Sequence, residues 1–553
     1  MVMKKYFYEK SKFSEFKSNK TYHELLSMNQ EEFTDWAKLM RKEIIHQWDI
    51  DGQPPVMGKN EEQIKTGLSK LREFPCEFFI DDDSDDESLG VIKNFNKHQT
   101  VVNHFFPTML KTRITNGSTA DDKDLSIYEH FSQDDKLENF VKVMNRAVKR
   151  DSMYAWCRSL TNKPEENEFW NGQTPVQFIK DAHAGKVFTG KWENYDILLH
   201  KTKHDNLKRY GTPDEDKRTY GNIFYLESQE IKQLLEDGYL NNTQISNLGD
   251  IPDTEVLKSG KVNKFVYNVR WYDKTEGVFP KIVQSFRLGF GAQPAVNFPA
   301  LTAKWLYEKY TDHIKQDEPF TIYDSSSGWG GRIIGAMSAK KKIHYVGTDP
   351  NPDNFIDELD ISRYEYVADF YNKTCIDKEP EGFGNFFESV SEANTYELFR
   401  DGSEVIHENP RFQKYDGKLD LSFTSPPYFN REQYSQDDNQ SFRKFGEYND
   451  WKENFLRPTL TTIYNYTKDD RYILWNIASI KIDKNKYFDL EEDSVKILKE
   501  LGADYKGKLK MLMTQMVGIS LNKRSDMSSS IKNIVNVDGK DFKYEPIFVF
   551  HKK

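Results

Sequence analysis

The stretch Phe320–Arg332 reads FTIYDSSSGWGGR and joins a short apolar run to a glycine-rich turn. The FTIY run predicts a buried strand, and the apolar residues of Ile333–Ala339 predict a helix after the turn. Glycine is required where a chain leaves a strand and turns tightly into a helix, because a Cβ there would block the turn and the approach of a ligand. The stretch therefore predicts a strand, turn and helix unit that holds a ligand above Gly328 and Gly330.

An acidic residue follows the next apolar run. The run IHYVG at 343–347 leads to Asp349 and Pro350, about 20 residues after the turn, where a carboxylate can accept both ribose hydroxyls of an adenosine. Asp324, at the end of the first strand, is suited to an ammonium group, and Ser326 lies in the turn itself. The turn is neither GxGxxG nor the Gly-Lys-Ser/Thr of a P-loop, so a nucleoside with a small charged tail is favoured over a dinucleotide or ATP.

Short apolar runs alternate with helix-sized intervals after about Lys264. Pro299–Tyr310 has the pattern of a helix, and further strands are predicted at Phe265–Trp271, Leu419–Phe423, Tyr472–Asn476 and Glu545–His551. Such alternation predicts an α/β domain with a mainly parallel sheet over residues 264–553. Residues 1–263 are predicted to form a separate region, mostly helical and then α+β, with helices around Phe33–Trp48 and Leu137–Val148.

Composition restricts the possible environments and partners. The 553 residues carry a formal net charge of -10, so a nucleic-acid partner would have to bind a local basic cleft. No run of about 18 apolar residues occurs, and we expect no membrane segment. The three cysteines are far apart and the histidines lack zinc-binding spacing, so we predict neither a disulfide framework nor a metal site, and we expect a cytoplasmic protein.

The strand-like run at 419–423 leads directly into Thr424-Ser425-Pro426-Pro427-Tyr428. An exocyclic amine of cytosine or adenine is a poor nucleophile because its lone pair is delocalised into the ring. A rigid Pro-Pro turn can aim the Pro426 carbonyl at the amine, the Ser425 hydroxyl can accept a second hydrogen bond, and Tyr428 can stack on the base. Because that amine is paired inside duplex DNA, the base would have to be flipped out.

The segment Ser425-Pro426-Pro427-Tyr428 resembles the [DNS]PP[YF] motif of amino-group DNA methyltransferases, and DSSSGWGG resembles their S-adenosylmethionine motif. The cofactor motif precedes the catalytic motif, as in the alpha and gamma groups of that family, and the similarity extends from about Gly289 to the C-terminus. The resemblance implies a class I, Rossmann-like methyltransferase domain with a mixed seven-stranded sheet. It also implies S-adenosylmethionine as cofactor, bordered by Thr424, and the four residues of the SPPY segment as the catalytic set.

Weaker similarities add further residues. Asn297-Phe298-Pro299 is similar to the segment that packs beside the methionine end of the cofactor, and Ser403 and Glu404 lie where the family has an acidic residue near the adenine. Ser403 occupies the place of the acid itself. In this family a serine before Pro-Pro is more frequent in N4-cytosine enzymes and an aspartate in N6-adenine enzymes, so cytosine is favoured and adenine stays open.

The activity implied by the resemblance is methylation of double-stranded DNA, a DNA modification of the kind found in restriction–modification systems. Methylation of RNA or of a protein amide stays open, as does an inactive methyltransferase fold that binds DNA. No nuclease motif is evident in the chain. Residues 1–263 are expected to read the target or to mediate assembly, with the aromatic and basic segment Trp192–Arg218 as the predicted DNA-facing element.

Overall fold

The computed structural model describes the following residues: 20–51, 61–76, 80–81, 85–93, 98–114, 125–146, 174–184, 195–203, 213–214, 219–220, 223–245, 248, 250–257, 259–273, 295–315, 318–356, 359–376, 392–435, 437–481, 487–515 and 533–553. The strands are β1 (Ile80–Asp81), β2 (Ser88–Ile92), β3 (Arg113–Ile114), β4 (Tyr195–Lys203), β5 (Pro213–Asp214), β6 (Thr219–Tyr220), β7 (Ile223–Leu226), β8 (Thr254–Val256), β9 (Val262–Asp273), β10 (Phe320–Asp324), β11 (Ile343–Thr348), β12 (Phe355–Ile356), β13 (Ile361–Ser362), β14 (Thr395–Phe399), β15 (Leu419–Thr424), β16 (Glu432–Gln433), β17 (Thr467–Asn476), β18 (Ile480–Lys481), β19 (Tyr487–Phe488), β20 (Asp504–Gln515), β21 (Ile534–Val537) and β22 (Lys540–Lys552).

The α-helices are α1 (Tyr22–Ser27), α2 (Gln30–Asp51), α3 (Glu61–Glu73), α4 (Ile127–Ser132), α5 (Leu137–Arg146), α6 (Pro175–His183), α7 (Ser228–Glu236), α8 (Asn242–Ile245), α9 (Ala300–Tyr310), α10 (Gly331–Ser338), α11 (Arg363–Tyr371), α12 (Ser441–Lys444), α13 (Tyr448–Trp451), α14 (Arg457–Tyr466) and α15 (Leu490–Glu500). Short 3-10 turns occur at Gln99–Phe105, Pro107–Lys111, Asp134–Lys136, Pro352–Asn354, Ile406–Glu408 and Gln413–Tyr415, and π-turns at Asn372–Ile376 and Lys452–Leu456.

The main sheet has the strand order of a class I methyltransferase. Its strands run in the order β14-β11-β10-β15-β17-β22-β20, and the first five are parallel to one another. β22 is antiparallel to both of its neighbours, which makes the seven-stranded sheet mixed. The α/β domain predicted from the alternation of apolar runs and the Rossmann-like, mixed seven-stranded sheet implied by the family resemblance are therefore confirmed.

Two further strands extend this sheet, and the sequence did not predict them there. β2 pairs in parallel with β20, and β1 pairs with β2, so the sheet has ten strands when β21, which pairs with β22, is included. Both added strands come from the N-terminal half of the chain. The sheet that carries the methyltransferase order is therefore built from both halves of the sequence.

The compact units divide the chain differently from the predicted boundary at 263/264. One unit comprises Met1–Met57 and Phe131–Gly289, and the other comprises Gly58–His130 and Phe290–Lys553. β9 runs through the predicted boundary and pairs with β4 along nine consecutive residue positions, from Phe265 to Asp273. A boundary at 263/264 would separate β4 from β9 and leave a row of backbone groups unpaired, so β9 stays with the first unit.

In the second unit helices cover both faces of the sheet. On one face Tyr307 of α9 packs against Phe423 of β15, with ring centroids 6.0 Å apart. On the other face Ile463 of α14 and Ile497 of α15 join a buried cluster with Trp475 of β17. The strands between these layers are consequently apolar on both sides, which explains the continuous hydrophobic runs in the sequence.

The first unit contains the predicted N-terminal helix and a separate sheet. Asn29 caps α2 by accepting hydrogen bonds from the main-chain nitrogens of Glu31 and Glu32. The apolar residues predicted for the inner face of this helix are buried: Phe33, Trp36, Ala37, Met40, Ile44 and Trp48. The six-stranded sheet has the order β4-β9-β7-β6-β5, with β8 on β9. Of the segment Trp192–Arg218, β4 and β5 are described, and the rest lies outside the described residues.

The helices and the metal-binding side chain types of the described ranges bear on two possible features, a membrane-spanning segment and a metal site. None of the helices there combines the length and the apolar character that a bilayer-spanning segment needs. In the same residues no three or more His, Cys, Asp or Glu side chains are grouped so that they could hold a metal ion.

Candidate active site

The glycine turn connects β10 to α10 at the carboxyl edge of the sheet. Gly328 and Gly330 have φ angles of 63° and 76°, the left-handed region that favours glycine. A Cβ on Gly330 would also collide with the ring of Phe106, and a Cβ on Gly331 would collide with the carbonyl oxygen of Phe298. Backbone conformation and close packing therefore both require glycine here.

Asp324 stabilises this turn from inside the protein. Its carboxylate is fully buried, and its Oδ2 atom accepts hydrogen bonds from Arg332 Nε at 2.7 Å and from the Tyr345 hydroxyl at 2.6 Å. Its Oδ1 atom accepts from the main-chain nitrogen of Ser326 at 3.2 Å and from the Thr424 hydroxyl at 2.8 Å. Four protein donors bind the carboxylate, so Asp324 holds the turn in position. Its contact with an ammonium group stays a prediction.

Asp349 lies just beyond β11 and faces the same turn. Its carboxylate accepts hydrogen bonds from the main-chain nitrogen of Gly328 at 3.1 Å, from the Tyr364 hydroxyl at 2.8 Å and from the main-chain nitrogen of Asn351 at 2.9 Å. Burial raises the pKa of Asp349 to about 6, against the opposing effect of these donors. Asp349 and the adjacent Pro350 are both partly exposed.

The Asn297-Phe298-Pro299 segment lies against the turn. Asn297 Nδ2 donates to the carbonyl oxygen of Trp329 at 2.7 Å, and the Phe298 ring lies below the Arg332 guanidinium, 5.6 Å from its carbon. Pro299 is the N-cap residue of α9. The segment therefore supports the floor of the turn.

Ser403 and Glu404 make contacts within the protein. The Ser403 hydroxyl is buried 2.9 Å from Thr459 Oγ1, and the buried Glu404 carboxylate accepts from Lys444 Nζ at 2.9 Å. Asp401, also near the end of β14, is instead partly exposed, and its carboxylate accepts one hydrogen bond from Asn409 at 2.9 Å. The acidic side chain open at this strand end is Asp401, which the sequence analysis overlooked although it immediately precedes Gly402.

The TSPPY segment begins where β15 ends, directly beside the glycine turn. Thr424 is buried and bonded to Asp324, Pro426 is buried, and Ser425 and Pro427 are partly exposed. The Tyr428 hydroxyl lies 3.5 Å from the main-chain oxygen of Asn476, and its side chain also hydrogen-bonds Ser425. Burial raises the pKa of Tyr428 well above its ordinary value, so the phenol is a neutral donor.

The loop after this segment contributes residues that sequence reasoning missed. β16 pairs with β3, which connects the loop to the N-terminal part of the second unit. Tyr434 follows β16, and its ring lies 5.5 Å from that of Trp329 in the glycine turn. The Tyr434 hydroxyl donates to the Glu432 carboxylate, and burial raises the pKa of Glu432. Tyr434 thus lies between the two motifs, and an aromatic residue in an otherwise polar stretch was its only sequence signal.

Comparisons with known proteins were made at three levels. No protein-family model matches the chain, and no curated protein matches it. Among solved structures, TehB from Haemophilus influenzae is similar at 8% identity, covering 53% of this chain and 71% of that chain with a TM-score of 0.23. A SAM-dependent methyltransferase from Methanosarcina mazei is 9% identical, with coverages of 45% and 96% and a TM-score of 0.24. A TehB-like SAM-dependent methyltransferase from Corynebacterium glutamicum is 13% identical, with coverages of 46% and 89% and a TM-score of 0.22.

The fold assignment rests on the strand order and the antiparallel β22. Within that fold, three observations fit S-adenosylmethionine. Two glycines of the turn are in the left-handed region, and the partly exposed Asp349 carboxylate faces the turn. The buried Ser325 hydroxyl in the turn has no hydrogen-bond partner among the described residues. Asp349 could therefore accept the ribose hydroxyls of such a nucleoside, and Ser325 could bond to it.

Proposed function

We propose that the chain is an S-adenosylmethionine-dependent methyltransferase that modifies an exocyclic amine of a DNA base, with N4 of cytosine favoured over N6 of adenine. The observation that carries the proposal is the 2.8 Å hydrogen bond between Thr424 and Asp324, because it fixes the TSPPY segment beside the glycine turn. A methyl donor held at the turn and an amine held at Ser425 would therefore share one edge of the sheet.

The residues at this edge have separable tasks. S-adenosylmethionine would supply an electrophilic methyl group. Asp349 would accept the ribose hydroxyls, and the main chain of the glycine turn would pass close to the nucleoside. Ser425 and the Pro426 carbonyl would accept hydrogens of the amine and so return electron density to its nitrogen. Tyr428 and Tyr434 would offer aromatic surface to a base rotated out of the duplex.

Double-stranded DNA is the proposed partner, and the first unit is proposed to read the target or to mediate assembly. The net charge of -10 means that DNA contact depends on local basic surface, and binding should weaken steeply with salt. The N-terminal part of the second unit has another proposed role. Through Phe106, beneath Gly330, it would help shape the cofactor site.

The decisive experiment supplies tritiated S-adenosylmethionine with DNA, RNA or protein as acceptor and compares the wild type with Ser425→Ala. We expect label in DNA, identified by mass as N4-methylcytosine after digestion to nucleosides, and a strongly reduced rate for the variant. Detection of N6-methyladenine instead would identify adenine as the target base and leave the proposed class of enzyme unchanged. Label in RNA or protein alone would contradict the DNA substrate, and cofactor binding without transfer to any acceptor would indicate an inactive fold.

A further inference from the structure

Three polar residues lie side by side on three adjacent strands: Ser425 just after β15, Asn476 at the end of β17 and Glu545 within β22. Thr424 of β15 pairs with Trp475 of β17, so the next residues along these parallel strands, Ser425 and Asn476, are neighbours. Asn476 pairs with Ile547 of the antiparallel β22, and Glu545 lies two positions from Ile547. Side chains two apart on a strand share a face, as do directly paired residues, so Asn476 and Glu545 are diagonal neighbours on one face of the sheet.

Asn476 links this row to the TSPPY segment. Its side chain is fully buried, and its Nδ2 atom donates to the carbonyl oxygen of Pro546 at 2.9 Å, next to Glu545. Its main-chain oxygen lies 3.5 Å from the Tyr428 hydroxyl. The Oδ1 atom of Asn476 has no hydrogen-bond partner among the described residues. A buried amide oxygen is costly to leave unpaired, so this atom points to a ligand that brings a donor.

Glu545 is the acidic residue of the row. The contacts within the described part of the chain include no hydrogen bond or ion pair to its carboxylate, which is only partly exposed. Two groups of the loop after β15 act on Glu545 or are affected by it: the charge of Glu432 raises the pKa of Glu545, and the charge of Glu545 raises the pKa of Tyr428. Asn476 on β17 is neutral, and Met511, which pairs with Glu545 from β20, is apolar. The positive charge of Arg431 acts to lower the pKa of Glu432, and no cation contributes to the shift in the pKa of Glu545. Burial and the charge of Glu432 together raise the pKa of Glu545 to about 7.

We propose that Glu545 is the proton acceptor of the amine site, with Asn476 Oδ1 as an additional acceptor for the same substrate group. This inference rests on the proposed function and names a catalytic residue for it. As the amine nitrogen forms its bond to the methyl carbon, the carbon–sulfur bond of the donor breaks and leaves its electron pair on sulfur. The nitrogen then loses one N–H proton to a Glu545 carboxylate oxygen, and the electrons of that bond restore its lone pair.

The identity of the residue before Pro-Pro explains why such a group is needed. Ser425 presents a neutral hydroxyl, which accepts a hydrogen bond but does not retain a proton at neutral pH. A carboxylate accepts a stronger, charge-assisted hydrogen bond and can hold the proton afterwards. A group with a pKa near 7 is ionised often enough to accept the proton and basic enough to keep it.

The test is the single-turnover methylation rate on DNA, measured from pH 5.5 to 9 for the wild type, Glu545→Gln and Glu545→Asp. Glu500→Gln is the matched control, because Glu500 forms an exposed ion pair with Arg457 on the helices α15 and α14. We expect the wild-type rate to increase as the pH rises through about 7. Glu545→Gln should lower the rate about 100-fold and abolish this increase. Glu545→Asp should retain a pH-dependent rate, and cofactor affinity should stay unchanged in all variants.

The possible failures can be told apart. If Glu545→Gln keeps the wild-type rate and pH profile, the inference is overturned while the proposed function stands. If the wild type transfers no methyl group to DNA, the proposed function fails and the inference fails with it. If circular dichroism shows that Glu545→Gln does not fold, Glu545→Asp is the deciding variant. A lower methylation rate, with its increase shifted to a different pH, supports the inference. An unchanged dependence of the rate on pH overturns it.

Discussion

Thr424 and Asp324 are 100 positions apart in the chain and are joined by a buried hydrogen bond of 2.8 Å. The bond connects the end of β15 to the end of β10, the adjacent strand in the sheet. Asp324 also accepts a hydrogen bond from the main chain of Ser326 in the glycine turn, so one carboxylate contacts both motifs. The relative position of the two motifs is thus fixed by a contact between side chains and not only by the sheet.

Thr424→Val tests this connection. The substitution keeps the shape of the side chain but removes one donor from a buried carboxylate that retains three others, so we expect a loss of about 1–2 kcal/mol in the free energy of unfolding. Denaturant unfolding measures it, and isothermal titration with S-adenosylmethionine should show weaker binding. Thr424→Ser restores the hydroxyl and should recover most of both losses. Equal stability of the valine and serine variants would contradict the role of the bond.

Arg332→Met should be far more disruptive. Arg332 and Asp324 form an ion pair in which both side chains are almost completely buried, and removing the guanidinium leaves an uncompensated charge, at a cost of about 3–5 kcal/mol. Arg457→Met is the control, since Arg457 pairs with Glu453 and Glu500 at the surface, and its loss should cost at most about 1 kcal/mol. The measurement is thermal and denaturant unfolding of both variants. Similar losses of unfolding free energy in the two variants would show that burial does not make the Arg332–Asp324 pair more important for stability than the exposed pairs of Arg457.

Gly330→Ala separates steric packing from backbone strain. Gly330 and Gly539 have nearly equal φ angles, 76° and 74°, but only a Cβ on Gly330 would meet another residue, the ring of Phe106. Gly539→Ala should therefore cost about 1–2 kcal/mol from the left-handed conformation alone. Gly330→Ala should cost about 1–3 kcal/mol more because of the overlap, and it should reduce cofactor binding. Equal unfolding free energies for the two variants would contradict the packing of Phe106 beneath the turn.

Local patterns were sufficient to predict the central part of this fold. The strand at Phe320, the glycine turn and the helix after it are adjacent in sequence, and each leaves its own periodicity or turn signal. The TSPPY segment was recognisable for the same reason, because the chemistry of its prolines is local. The predictions made from such signals cover the strands β10, β11, β15 and β17 and the position of each motif along the sequence.

Features that depend on distant residues left no such signal. β2 adds to the sheet beside β20, and Phe106 fills the space under Gly330, yet nothing within the stretch 88–106 indicates either partner. The same holds for Glu545, which reads as part of an ordinary closing strand and gains its raised pKa only from Glu432 and burial. Predicting these features requires tertiary contacts, which a single sequence does not contain.

The division of the chain predicts how fragments behave. A fragment of residues 264–553 lacks Gly58–His130, and with it β2, the strand that pairs with β20. It also begins inside β9 and so exposes an unpaired strand. We expect this fragment to be insoluble or to lack near-ultraviolet circular dichroism, and co-expression of residues 58–130 to raise its soluble yield. A fragment that folds alone with full cofactor affinity would contradict the assignment of 58–130 to this unit.

The raised pKa of Asp349 predicts how the stability of the protein changes with pH. An aspartate in an unfolded chain has a pKa of about 4, so between about pH 4 and 6 the folded state, whose Asp349 has a pKa of about 6, binds more protons. The contribution of Asp349 to stability is therefore fully present below about pH 4 and is lost as the pH rises through about 6. Asp349→Asn should remove this decline, which the difference between the two unfolding curves from pH 4 to 8 measures.

Ionisation of Asp349 should have the opposite effect on cofactor binding, which it should strengthen. The ionised carboxylate accepts hydroxyl hydrogens and the protonated form accepts them poorly, so wild-type affinity for S-adenosylmethionine should increase between about pH 5 and 7. Asp349→Asn should bind roughly 10-fold more weakly at pH 8 and show little change with pH, because a hydrogen bond to a charged group is worth about 1.5–3 kcal/mol. Titration calorimetry at both ends of the range measures this. An unchanged affinity in the asparagine variant would place the ribose elsewhere, with Asp349 serving only to hold Gly328 and Tyr364 in position.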